Sequence, residues 1–383
     1  FDEEERRMVS VSEKFLSVRN LNLAGKLWRS TSSSGKKSSL KIMCLHGWLD
    51  NANSFDYVAP ELCKEFGAEV FALDFCGHGK SEWLPNSSFY YQSEYAAFAL
   101  GALDELGWGN AAGPGSDEKG SLLIGHSMGA GVASIIAGSF PERFSGVVLL
   151  DGVGPVSELA TKAPDQFRTA YEAEGASAVA KTEGKTGRVY ENVDAVVNLR
   201  QQAVRRFPGQ QRISSEAARK ILERGTKPAG DSGVCFVHDP RLSNATPIRF
   251  NEENVKAFLE NIKCPTTAIL AHKGWPSSKK NGGPATIFQL MKDSSGTAKE
   301  EEDDSFYEED LNEHPRLQML GSNLKTPLRL KNSYHHLHLD PDTRTDVTKE
   351  ISSFFRDHVI NAKHDNSSHT IPKETVPHPP DGM

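Results

Sequence analysis

Residues 122–134 read LLIGHSMGAGVAS: three apolar positions, then Gly125-His126-Ser127-Met128-Gly129, then a run of small residues. The apolar triplet reads as the end of a buried strand and the small-residue run as a helix, which places the serine at the corner between them. A plain turn has no need of a serine there, and a plain helix start would use it as a cap. Gly-x-Ser-x-Gly in this context predicts a nucleophile elbow, with the Ser127 hydroxyl exposed on a strained backbone. The glycines two residues to either side let strand and helix approach, and Ala130 and Gly131 extend that smallness. The Met128 N–H then opens a helix and points its positive end at any developing negative charge.

Outward from this corner the chain has a rhythm. Strand-like runs lie at 40–45 (LKIMCL), 70–73 (VFAL), 122–124 (LLI), 147–150 (VVLL), 266–270 and 328–330. Helix-like stretches occupy 53–66, 93–106, 128–140 and 343–355. Alternation at this spacing predicts an α/β fold with a parallel sheet covered on both faces. The first forty residues read as β-ribbon ending in the loop TSSSGKKSS. Residues 155–262 are polar helices with Gly and Pro punctuation, as in SSEAARKILERG, and predict a helical cap inserted into the core. The expected organisation is core 1–154, cap 155–262, core 263–360 and a disordered tail 361–383, with solvated loops at 111–120 and in the acidic run 299–310.

The 383 residues are 37% hydrophobic and 25% charged, which fits a globular protein with a substantial core. A net charge of -7 leaves no basic footprint for nucleic acid and no polybasic membrane stripe. No apolar run approaches the ~20 residues needed to span a bilayer. Five well-separated cysteines are odd in number, and Cys44, Cys63 and Cys264 sit in apolar surroundings. Buried free thiols are expected, hence a reducing, intracellular and most simply cytoplasmic setting. The chain starts at Phe1 rather than Met, which leaves room for an upstream targeting segment.

A serine hydroxyl becomes a competent nucleophile only beside a base, itself oriented by an acid. LRLKNSYHHLHLDP (328–341) offers His335, His336 and His338 just after a strand-like run. His335 is the expected base and His336 its rival. His336-x-His338-x-Asp340 also resembles the H-x-H-x-D-H of metallo-β-lactamases. Pro341 stands where the last histidine belongs, however, and no second ligand set has the spacing, so no metal is expected. For the acid, Asp151 ends the strand-like run VVLL at the mouth of the sheet. The competing position after 266–270 reads AHKGWPSSKK and holds no carboxylate, and Asp293 is a distant substitute. CLHGWLDN (44–51) ends the first central strand, where Gly47 lets the backbone turn toward the serine and the Trp48 N–H joins that of Met128 as oxyanion donor. DFCGHGKS (74–81) is glycine-rich but lacks P-loop spacing, and reads as a tight loop shaping the pocket floor.

Taken in order, HGW, D-x-x-G-H-G-x-S, G-H-S-M-G and a late histidine resemble the α/β-hydrolase superfamily from about Ser17 to Arg356. MCLHGWLDNANSFD, DFCGHGKS, LERGT (222–226) and ISSFF are similar to segments of the group called serine hydrolase-like proteins. The resemblance implies Ser127 as nucleophile, His335 as base, the amides of Trp48 and Met128 as oxyanion donors, a helical lid and no cofactor. The superfamily's usual Gly-x-x-Asp after the strand at 266–270 is missing, leaving Asp151 as the acid. Serine in the elbow favours hydrolysis of a small-molecule ester-like substrate over the epoxide or haloalkane chemistry that places Asp there. The alternative is a non-catalytic binder or receptor of the same fold.

Overall fold

The computed structural model describes residues 8–31, 40–108, 120–182, 188–205, 211–230, 233–274, 311 and 314–361. Eight strands form one sheet. They are β1 (Met8–Val18), β2 (Leu21–Thr31), β3 (Lys41–Leu45), β4 (Glu69–Leu73), β5 (Ser121–His126), β6 (Phe144–Leu150), β9 (Thr266–Lys273) and β10 (Leu328–Tyr334). Their order across the sheet is β1-β2-β4-β3-β5-β6-β9-β10. The β1–β2 hairpin is antiparallel and β2 joins β4 antiparallel, while every pairing from β4 to β10 is parallel.

Both faces of the parallel part are buried, and the period of two shows which side chain faces which layer. Met43, Leu45, Phe71, Leu73 and Leu123 pack against α2 (Gln92–Glu105) and α3 (Met128–Ser139). Their neighbours Ile42, Cys44, Val70, Ala72, Leu122 and Ile124 pack the other way, against α1 (Val58–Phe66) and the C-terminal α8 (Arg344–Phe354). The helices expected at 93–106, 128–140 and 343–355 thus appear within a residue or so of those bounds. Cys44, Cys63 and Cys264 are buried free thiols, as is Cys76, while Cys235 is half-buried.

Between β6 and β9 the chain leaves the sheet as α4 (Ala163–Thr182), α5 (Val193–Arg205), α6 (Ser215–Gly225) and the small hairpin β7 (Thr226–Ala229) and β8 (Gly233–Phe236). Ser214 caps α6 by accepting the Ala217 N–H. Val196, Ala217, Ile221 and Leu222 give this insertion a small core of its own, closed by Leu339 from the loop after β10. The following helix α7 (Glu252–Glu260) returns to the sheet and packs on α3, where a Cβ at Gly138 would meet Phe258 O at 2.2 Å. So α7, though inside the span 155–262, is part of the layer covering the sheet. The tail after 361, the acidic run 299–310 and the loop 111–119 lie outside the described residues.

Polar side chains fasten the insertion to the core. The motif LDNANSF donates two amides: Asn51 Nδ2 to Ile221 O at 2.8 Å and Asn53 Nδ2 to Lys220 O at 3.0 Å. Arg200 of α5 pairs with Asp50 at 2.6 Å, and Arg224 of α6 pairs with Asp74 at 2.8 Å and with Glu13 of β1 at 2.7 Å. Asp74 also accepts the amides of Ala52 and Lys80. The loop DFCGHGKS is therefore a structural corner built around this carboxylate.

Candidate active site

The carboxyl ends of the central parallel strands converge, and three of them, β3, β5 and β6, lead into a residue with strained backbone. Ser127 after β5 has φ 52° and ψ -114°, Asp151 after β6 has φ 42°, and Leu49 beyond β3 has φ 60°. Non-glycine residues seldom adopt such angles, and they persist where the surroundings enforce them. Here β6 and β9 hold two of them: the Ser127 N–H donates to Leu150 O and the Asp151 N–H to Ile269 O, both at 2.9 Å. The elbow glycines have a steric reason. A Cβ at Gly125 would lie 2.4 Å from Gly129 O, and one at Gly129 would lie 2.1 Å from Leu45 O. Both collisions are with backbone, which cannot rotate away. Gly129→Ala is therefore expected to lose about 3 kcal/mol of stability, read from the urea midpoint.

The structure brings Ser127, His335 and Asp151 together. Ser127 Oγ lies 2.9 Å from His335 Nε2, and His335 Nδ1 lies 2.6 Å from Asp151 Oδ2. A carboxylate only accepts, so the imidazole proton sits on Nδ1 and Nε2 presents its lone pair to the serine hydroxyl. Asp151 Oδ1 accepts the Ala271 N–H at 2.9 Å, which fixes the carboxylate plane. The side chain of Asp151 is 4% exposed and that of His335 12%, so the pair is largely shielded from solvent. His335 follows β10 at a bulge, where the pairing with β9 shifts between Leu330 and Tyr334 and Asn332 has φ 54°.

The other expected residues fall around this centre. Neither the Trp48 nor the Met128 amide donates to an acceptor among the described residues. The Trp48 indole is anchored, its Nε1–H donating to Leu242 O of the insertion at 3.0 Å. His336 points away from the serine, its Nε2 3.4 Å from Asp50 Oδ1. His338 is fully buried against the rings of His126 and Phe55. Among the described residues no three of His, Cys, Asp or Glu converge to hold a metal ion, and Asp293 lies outside them.

Two supporting residues were not picked out by sequence reasoning. His126, the x before Ser127 in the elbow, donates Nε2–H to His335 O at 2.9 Å. Gln211 of the insertion accepts the His335 N–H at 3.1 Å. The elbow motif could have drawn attention to His126, whereas nothing local marks Gln211. Burial holds His46, His126 and His338 below the usual imidazole range and brings His336 down to about 4. Folding therefore disfavours protonation of these rings, while the unfolded chain takes up protons near pH ~6.5. Their contribution to stability is complete above that value and is lost as pH falls, for His336 toward about 4. Going from pH 7.5 to pH 5 should cost about 2 kcal/mol for a ring shifted like His336. The apparent Tm is therefore expected to drop steeply over that window.

Comparisons with known proteins bear on the fold and family. The family described as alpha/beta hydrolase fold matches residues 42–340. A serine hydrolase-like protein of Dictyostelium discoideum is 31% identical over 254 residues, 65% of this chain and 63% of that protein, so the match spans just under two thirds of its length. Serine hydrolase-like protein 2 of Homo sapiens is 27% identical over 294 residues, covering 76% of this chain and 85% of the relative. Among solved structures, a hypothetical protein of Pseudomonas aeruginosa PAO1 superposes with a TM-score of 0.66 at 28% identity, covering 90% of this chain and 99% of that one. A thioesterase domain from the curacin biosynthetic pathway, at 19% identity and TM-score 0.63, shares the fold. Among the described residues no helix is long and apolar enough to cross a membrane. With its central parallel strands carrying an elbow serine, and with a family match across most of its length, the chain belongs to the α/β-hydrolase fold family, near the serine hydrolase-like proteins.

Proposed function

We propose that this hydrolase-family protein cleaves a carboxylic ester-like bond of a small molecule through an acyl-enzyme on Ser127, under a cap formed by the insertion. The observation that carries the reading is the Ser127 Oγ–His335 Nε2 separation of 2.9 Å, with Nδ1 of the same ring on Asp151. Ser127 Oγ attacks the carbonyl carbon as Nε2 takes the hydroxyl proton, and the C=O electron pair moves onto oxygen. The amides of Trp48 and Met128 stabilise that oxyanion, each such donor being worth about 10²–10³ in turnover. The tetrahedral species collapses, the ester C–O bond breaks, and Nε2–H delivers its proton to the departing alkoxide. Water then attacks the acyl carbon, giving one proton to Nε2. The carboxylic acid leaves and Ser127 recovers its proton. Asp151 holds the Nδ1–H throughout and offsets the imidazolium charge.

A fluorophosphonate probe tests the reading directly. Wild-type protein is expected to be labelled at one site, and Ser127→Ala not at all. Absence of labelling in the wild type would favour a ligand-binding protein that retains the fold without the reaction. A series of p-nitrophenyl esters of increasing acyl length then reads the size of the acyl site.

A further inference from the structure

We infer that Gln211 is a positioning residue through which the docked insertion sets the orientation of the His335 imidazole. The inference rests on the hydrolase reading above for its chemistry and on contacts of the folded chain for its geometry. Gln211 belongs to the insertion, ahead of α6, and is 1% exposed. Both ends of its amide are engaged. Oε1 accepts the His335 N–H at 3.1 Å, while Nε2 donates to Gly274 O at 3.0 Å and also to Lys273 O. Gly274 is the residue against which the acid rests, since a Cβ there would come within 2.2 Å of Asp151 Oδ1. One side chain therefore joins the segment carrying the base to the segment lying against the acid.

A second contact between the same two segments supports this. Arg212 stacks its guanidinium over the ring of Tyr334, 5.7 Å from the centroid, so consecutive insertion residues grip consecutive residues of the histidine loop. The gripping segment is itself held, because Gln201 of α5 donates Nε2–H to Ile213 O at 2.9 Å. On the opposite side the His335 carbonyl is taken by His126, as described above. The His335 peptide is thus clamped between the insertion at its N–H and the nucleophile strand at its C=O. This matters because the β10–β9 pairing shifts register between Leu330 and Tyr334 and ends at Tyr334↔Lys273, so the sheet ladder does not extend to His335 itself. An imidazole displaced by about 1 Å can cost about 10² in rate, which is the scale on which such a clamp acts.

The plain alternative is that Gln211 only satisfies backbone groups and helps the insertion dock. Gln211→Met keeps the length and removes both hydrogen-bonding ends. Gln211→Glu keeps the acceptor for the His335 N–H and removes the donor. With Gln211→Met we expect the rate of fluorophosphonate labelling at Ser127 and kcat for ester hydrolysis to fall about 10- to 100-fold. KM should stay within about twofold. The low-field proton resonance of His335 Nδ1–H, identified by its absence in His335→Ala, should shift or broaden. Gln211→Glu should fall between Met and wild type in labelling rate. Wild-type labelling rates and an unmoved resonance in the soluble variants, with only a lower Tm, would overturn the inference; if Gln211→Met does not fold, Gln211→Glu alone decides it. Should wild-type protein fail to label, the hydrolase reading falls separately, and the Nδ1–H resonance still reports whether Gln211 sets the ring.

Discussion

His335→Ala is expected to lower ester hydrolysis by about 10⁴- to 10⁶-fold, as deletion of one member of a serine triad does. His336→Ala should leave turnover within about tenfold of wild type. The adjacent histidines differ in what they face. His335 Nε2 is on the serine, whereas His336 Nε2 is 3.4 Å from Asp50 and its ring is 5% exposed. Truncating His336 opens a buried void, but Asp50 keeps Arg200 at 2.6 Å as its counter-charge. The cost should therefore fall on stability, by about 2–4 kcal/mol. Steady-state hydrolysis measured against the Ser127→Ala background, together with a urea titration of each variant, checks both halves. Equal losses of turnover in the two variants would place the base elsewhere.

Asp151→Asn is expected to cost about 10⁴ in kcat while leaving the fold intact. The surroundings dictate which way the new amide turns. The Ala271 N–H requires an acceptor where Oδ1 now stands, 2.9 Å away, so the asparagine oxygen goes there. Its NH₂ is left facing His335 Nδ1. That nitrogen must then accept, which moves the ring proton to Nε2, where it confronts the serine hydroxyl instead of receiving its proton. The tautomer is wrong although every atom is close to its place. A crystal structure of the variant superposing on wild type, with labelling reduced by the same factor as turnover, is the expected result.

Which parts of this could be read from the chain depends on how local the cause is. The elbow was legible because its demand is local: Gly125 and Gly129 are dictated by atoms within a few residues or by the adjacent strand. The central strands were legible because residues such as Ile42 to Leu45 are buried on both faces and therefore uniformly apolar. Asp151 came by elimination, since the loop after β9 begins without a carboxylate, and the geometry sets it against His335 Nδ1. The β7–β8 hairpin was hidden by Pro228, which argues against a strand in the middle of a sheet but is tolerated in a two-stranded ribbon. β9 runs on to Lys273, past the apolar run, because its last residues are only partly covered. Gln211, and the Asn51 and Asn53 side chains that hold α6, were illegible for a different reason. Their partners are backbone groups more than sixty residues away, and no periodicity records such a pairing.

The ion pairs between insertion and core also bear on how the two parts move. Asp50, Asp74 and Arg224 are each 5% exposed or less, and parting such a buried pair leaves a bare charge, at about 3–5 kcal/mol apiece. Lifting the whole insertion would break several of these rivets at once, so large excursions of it from the core are rare.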